Sequence, residues 1–148
     1  MDFELSVIIH RPLEEVFTFF RDMDQHAGQK GTLVPIYDKI TPGPISVGTR
    51  YREVVRVLPF ITGAVWTEIV GFEPGARLAY AFVALGMPGE LCYEFEPVAT
   101  GTRIVQRQSL HPAGWRRLFS PLIRITFYRM IAWRLMGIKN LLESGPSG

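Results

Sequence analysis

The chain has 148 residues, 47% apolar and 20% charged with a net charge of +2, which describes one globular domain and excludes a disordered or a multi-domain chain. Its single cysteine, Cys92, excludes an intrachain disulfide and a cysteine-based metal cluster. No apolar run approaches the length of a bilayer span, and the N-terminal MDFELSVIIH is acidic where a secretory signal would be basic, so the expected location is cytoplasmic.

In chain order, Phe3, Leu5, Val7 and Ile9 alternate with Glu4, Ser6 and His10 as in a half-buried strand. Pro12 ends it and suits the first position of a helix. Leu13, Val16, Phe17 and Phe20 then recur at helical spacing through Arg21, with Glu14 and Glu15 near the positive helix start. The polar stretch Asp22 to Gly31 leaves room for a second short helix, so the helix count at this point stays at one or two.

From Thr32 to Leu110 the pattern is of short β runs divided by turns. The predicted strands are Leu33 to Ile40, Thr49 to Leu58, Thr62 to Phe72, Arg77 to Ala84, Glu90 to Glu96 and Thr102 to Leu110. Pro35 confines the first to a sheet edge. TPGP at Thr41, EPGA at Glu73, GMPG at Gly86 and ATG at Ala99 supply the turns, and connections this short imply antiparallel pairing.

Trp115 to Glu143 has helical periodicity but carries more apolar surface than one packing face needs. Trp115, Phe119, Leu122, Thr126, Met130, Trp133, Gly137 and Leu141 form one stripe. Phe127, Ile131, Leu135, Ile138 and Leu142 form a second, and Arg116 and Arg134 fall on the seam between them. Ser120 and Pro121 read as a helix start, which sets Trp115 to Phe119 apart as a separate turn. The segment holds six cations against one acid, whereas the rest of the chain holds ten cations and thirteen acids. Basic and apolar together keep peripheral membrane contact open, and homodimerisation through this helix as well.

The sum is one α+β domain over residues 1–143 with a flexible tail at 144–148: a highly twisted seven-stranded antiparallel sheet curled around a long C-terminal helix, with one or two short helices after the first strand. Strand alternation assigns the inward side chains. On the last strand Arg103 and Arg107 face water, which turns Ile104, Gln106, Gln108 and Leu110 inward. The same logic turns Tyr93 and Phe95 inward against Glu94 and Glu96, and Tyr51 and Glu53 against Arg50 and Arg52. Leu78, Tyr80 and Phe82 form another inward set, and Trp66 with Glu68 a further one. Buried amides without partners are costly, so Gln106 and Gln108 on one inward face point to a wet cavity or a polar ligand group.

"RPLEEVFTFFRDMD", "PGPISVGTRYRE", "TEIVGFEPGARLAYAF", "YEFEPVATGTRIV" and "MGIKNLLE", in this order and spacing, resemble the START-like (SRPBCC) superfamily, and within it the polyketide cyclase/dehydrase and lipid-transport group. The resemblance runs from Phe3 to Glu143. It implies a helix-grip fold, in which the long helix closes a hydrophobic pocket, and it implies no single chemistry. On that fold Ile131, Leu135, Ile138 and Leu142 seal the far core, and Phe119, Leu122, Thr126 and Met130 are the candidate pocket roof. With Tyr51, Trp66, Tyr80, Phe82, Tyr93, Phe95, Gln106 and Gln108 they make up the expected ligand-binding set.

The expected partner is a hydrophobic small molecule such as a lipid, a polyketide or a quinone-like compound. The alternative is a cyclase or dehydratase in which Glu53 or Glu68 carries a proton and Tyr51, Tyr80 or Tyr93 orients a carbonyl or phenol. His10, His26 and His111 lack metal-ligand spacing, and there is no phosphate loop or nucleophile elbow, so neither metal nor cofactor is expected. The strands lack the basic aromatic surface of RNA-binding sheets, so no nucleic acid is expected either.

Overall fold

A computed structural model of the chain describes residues 1–23, 36–58 and 61–144. Strand β1 (Asp2–Ile9) leads into helix α1 (Leu13–Arg21), and strands β2 (Ile36–Lys39), β3 (Arg50–Leu58), β4 (Ile61–Glu73), β5 (Arg77–Ala84), β6 (Met87–Val98) and β7 (Gly101–Leu110) follow. A 3-10 turn (Gly114–Phe119) then runs into helix α2 (Ser120–Ser144). Leu33 to Pro35, the second short helix allowed within Asp22 to Gly31 beyond Met23, and the tail from Gly145 lie outside the described residues.

The strands form one antiparallel sheet in the order β1-β7-β6-β5-β4-β3-β2. Every pair after the first is a sequence neighbour, as short turns dictate. β2 sits at the edge, where Pro35 had placed it. The sheet curves, and its ladder has irregularities between Arg56 and Leu58 and between Ile69 and Gly71. The second sets Val70 out of register, exposed, so that Ile69 and Phe72 both turn toward the core in spite of their spacing.

Three local expectations need correction. Pro12 caps α1 with an extended backbone (ψ 148°) instead of occupying its first turn. Ser120 is helical, and its hydroxyl donates to the Arg117 carbonyl rather than capping α2. The β5–β6 hairpin turns at Leu85 and Gly86 (φ 54° and 80°), with Ala84 opposite Met87, so β6 starts three residues before Glu90. That pair of left-handed residues is a two-residue loop whose twist matches the strands, and only Gly86 meets its demand without cost. Gly89, expected in the turn, lies in β6 instead. A Cβ there would collide with the Ser109 carbonyl and the Phe82 ring, so this glycine lets Phe82 lie across the strand.

α1 buries Val16, Phe17, Phe19 and Phe20. Phe17 meets Phe95 (5.1 Å between ring centroids) and Phe20 meets Tyr93 (4.9 Å), both edge-on. This cluster continues through Leu78 and Ile104 to Leu135, Ile138 and Leu142 of α2. A second cluster joins Phe3, Phe82, Ala84, Met87, Leu110 and Ile131, with Ile123 and Phe127 packed against it. Leu5 and Leu91 pack against both clusters.

α2 is 25 residues, about 37 Å, long. Its inward line runs through Phe127, Ile131, Leu135, Ile138 and Leu142, the second apolar stripe of the sequence, and the structure extends it by Ile123. Its C-terminal end is tied to the end of β1. Arg11 Nε donates to the Leu142 carbonyl (2.9 Å), Lys139 Nζ to the Ile8 carbonyl (2.7 Å), and the His10 amide to Glu143 Oε2 (2.9 Å).

Candidate functional site

Polar side chains collect on the inner face where the two apolar clusters meet. In the sheet register Gln106 stands beside Leu5 on one strand and Tyr93 on the other, and Gln108 beside Phe3 and Leu91. Gln106 is buried, Gln108 half-buried, and Gln106 Nε2 donates to Gln108 Oε1 (2.9 Å). Two residues apart on one strand, the amides share a face and answer each other. Across the sheet Tyr51 and Glu53 of β3 are buried on the same face, with Thr67 of β4 opposite Tyr51.

Arg134 closes the group from the helix. Its Nη1 donates to Glu53 Oε1 at 2.8 Å, an ion pair whose carboxylate is 6% exposed and whose guanidinium side chain is 24% exposed. Burial pushes the Glu53 carboxyl above its ordinary pKa, and the attraction and hydrogen bond of Arg134 only partly offset that. Burial also raises the Tyr93 phenol. Arg134 opposes this shift and Glu53 adds to it, so Tyr93 lies within the field of both charges. Tyr80 meets Tyr93 edge-on at 6.3 Å. The result is two hydrogen-bonded pairs, Gln106 with Gln108 and Arg134 with Glu53, on one inner face of an aromatic interior, where burial favours the protonated form of the carboxyl.

The structure thus gathers Tyr51, Glu53, Tyr80, Tyr93, Gln106 and Gln108 on one inner face, and Phe82 and Phe95 beside them. Phe95 is covered by Phe17 and Phe20 as part of the α1 core, and Phe82 stacks on Phe127 (6.4 Å) under α2. Trp66 and Glu68 are corrected: they point away from the helix. Val65, Thr67 and Ile69 take the inner positions of β4, while Trp66 is exposed under the Arg52 guanidinium (5.8 Å) and Glu68 pairs with Arg50 (2.8 Å). The predicted roof is corrected as well. Phe119, Leu122 and Thr126 are exposed and Met130 is half-buried, because the first apolar stripe faces outward and Ile123 and Phe127 cover the sheet.

Sequence reasoning missed Arg134 and Thr67. The signal for Arg134 was its position, three residues after Ile131 and four before Ile138, which puts it on the buried line of the helix. On the outer face a separate open depression of about 360 Å³ includes Arg77, Ala79, Cys92 and Arg107 in its lining, on the side of the sheet away from Glu53. Cys92 is there because its alternation with Tyr93 turns it outward.

The family model described as polyketide cyclase / dehydrase and lipid transport matches residues 1–143. The chain belongs to this family. This family match bears out the START-like (SRPBCC) resemblance, and solved structures share the fold. A protein of Thermus thermophilus superposes with a TM-score of 0.80 at 16% identity, over 96% of this chain and 97% of that one. The Zhui aromatase/cyclase from a Streptomyces species gives 0.79 at 12% identity, over 97% and 93%. Ara h 8.0201 gives 0.77 at 14%, over 98% and 99%. No curated protein sequence is a significant match. Identities this low carry the fold alone, so for this polyketide cyclase/dehydrase and lipid transport family member the chemistry rests on its own residues.

Proposed function

We propose that this protein binds a hydrophobic small molecule between the sheet and α2, with the polar group of that molecule at the Glu53–Arg134 pair. The observation that carries the proposal is the pair itself. A buried ion pair adds little to stability compared with apolar packing, so its presence inside an aromatic interior calls for another use. Arg134 supplies donors for a carbonyl, phenolate or carboxylate, a protonated Glu53 supplies one more, and Gln106 and Gln108 keep donor and acceptor capacity beyond their mutual bond. Phe82, Phe127 and Tyr80 supply apolar walls, the usual complement of a few placed polar groups. A lipid, polyketide or quinone-like compound fits that description.

Native mass spectrometry of protein purified without detergent tests the proposal. The wild type is expected to carry an adduct whose retention falls in the Glu53→Gln and Arg134→Met variants. A wild type with neither an adduct nor uptake of anilinonaphthalene sulfonate would overturn it.

A second reading, a cyclase or dehydratase, is favoured by one observation: the raised pKa of Glu53, buried beside Arg134, which suits a carboxyl that gives and takes a proton. Glu53→Gln would then abolish turnover of a polyketide-type carbonyl substrate while leaving its binding in place. Unchanged turnover would exclude this role.

A further inference from the structure

The outward face of α2 and the 3-10 turn before it carries the feature that ligand binding does not use. Among the described residues thirteen large hydrophobic side chains are exposed, and eight of them fall between Trp115 and Met136. Leu122, Ile125, Trp133 and Met136 follow helical spacing on the side of α2 opposite Phe127, Ile131 and Ile138, and Trp115 and Leu118, the latter 81% exposed, extend the patch beyond the helix start. The sheet does not need this stripe, since the inward line already fills the core.

Its charge says what covers it. No acid occurs from His111 to Leu142, whereas Arg116, Arg117 and Arg129 stand in or beside the patch; Arg124, seven residues before Ile131, lies on the other side over the Phe3 ring (5.6 Å). Among the described residues none of these three has an acidic group within salt-bridge distance, in contrast to Arg134 with Glu53 and Lys139 with Glu143. Arg129 lies in the middle of the outward stripe, between Ile125 and Trp133. A second copy of the chain docked there about a two-fold axis would bring like arginines together, which disfavours self-association. An anionic bilayer surface has the opposite property. It accepts apolar and aromatic side chains into the headgroup region while its phosphates meet the guanidinium groups, whose stems lie along the apolar surface. No helix among the described residues is long and apolar enough to cross a membrane, so the geometry is of lying on the surface.

We propose that α2 and the preceding turn form a docking face for an anionic membrane surface, with Trp115, Leu118, Leu122, Ile125 and Trp133 entering the headgroup layer and Arg116, Arg117 and Arg129 on its phosphates. The face is built from residues outside the interior site, so the proposal stands apart from what the interior binds.

Flotation of the intact protein with phosphatidylcholine vesicles, with and without phosphatidylglycerol, is the test. Binding is expected only to the anionic vesicles and is expected to fall with added salt. Replacing Arg116, Arg117 and Arg129 together by Gln should weaken it about a hundredfold, since each surface cation contributes about fivefold. Leu118→Ser with Leu122→Ser should weaken it as well. All five positions are on the surface, and an unchanged unfolding midpoint verifies the fold of each variant. Three results would overturn the proposal: no flotation with either vesicle, equal flotation with both, or concentration-dependent dimerisation abolished by Trp133→Glu. Adduct retention in native mass spectrometry, measured on the same variants, keeps this outcome separate from that of the interior site.

Discussion

Replacing Arg134 by Met removes the charge that faces Glu53 while keeping most of the side chain's apolar length. The carboxylate, 6% exposed, is then left in the interior without its partner. Breaking a buried pair from one side costs about 3–5 kcal/mol. Arg134 is 24% exposed and its attraction is partly screened, so the lower end, about 3 kcal/mol, is expected where Glu53 is ionised. The cost has a ceiling, because Glu53 can escape by taking a proton. Its folded pKa already lies above the unfolded value through burial, and loss of Arg134, which lowers it, raises it further. The folded state then holds more protons than the unfolded one, so stability falls as pH rises from the unfolded pKa through the folded pKa. One proton gives a slope of at most about 1.4 kcal/mol per pH unit, so the loss should shrink steadily as pH falls from above the folded pKa of Glu53 toward its unfolded value. Urea unfolding of the wild type, Arg134→Met and the Glu53→Gln/Arg134→Met double variant across this range measures it. The double variant should recover most of the loss and lack the extra pH dependence. A loss in Arg134→Met that does not change with pH, or a double variant as unstable as the single one, would refute the reasoning.

Three further outcomes are expected. Ile138→Ala, at a fully buried position of the inward line, should cost about 2–5 kcal/mol in urea unfolding, whereas Leu122→Ala on the outward stripe should stay within about 0.5 kcal/mol. Gly89→Ala should destabilise by about 1–3 kcal/mol, because its Cβ displaces the Phe82 ring or the Ser109 backbone; thermal melts that match the wild type would contradict the packing described. Glu143, whose pKa is lowered by the Lys139 hydrogen bond and then by the His10 amide, contributes stability present above its unfolded pKa and lost as pH falls through its lower folded pKa. Glu143→Gln should therefore cost up to about 1 kcal/mol near neutrality and almost nothing below the folded pKa, read from unfolding midpoints at successive pH values.

The sheet was legible because each strand carries its own face code and each turn its own punctuation. Arg103 and Arg107 outward sufficed to turn Gln106 and Gln108 inward, and the structure has them so. β4 was the exception, since Val65, Thr67 and Ile69 compete with Trp66 and Val70 and both faces carry apolar residues. Only the register of β3, with Tyr51 opposite Thr67, decides between them. α2 posed the same difficulty. Two apolar stripes were visible and only one fits the sheet; size and hydrophobicity do not distinguish Leu122 and Trp133 from Ile123 and Phe127, because the selection is made by Phe3 and Phe82 on distant strands. Arg134 was hidden for a related reason. An arginine on a basic helix is ordinarily solvated, and the partner that draws it inward lies 81 residues earlier in the chain.

The most direct test of the account is a crystal structure of the protein with the molecule that co-purifies with it. A polar atom of that molecule is expected within hydrogen-bonding distance of Arg134 or Glu53, with its apolar body against Phe82 and Tyr80. A molecule seated instead in the outer depression, beside Arg77, Cys92 and Arg107, would contradict it.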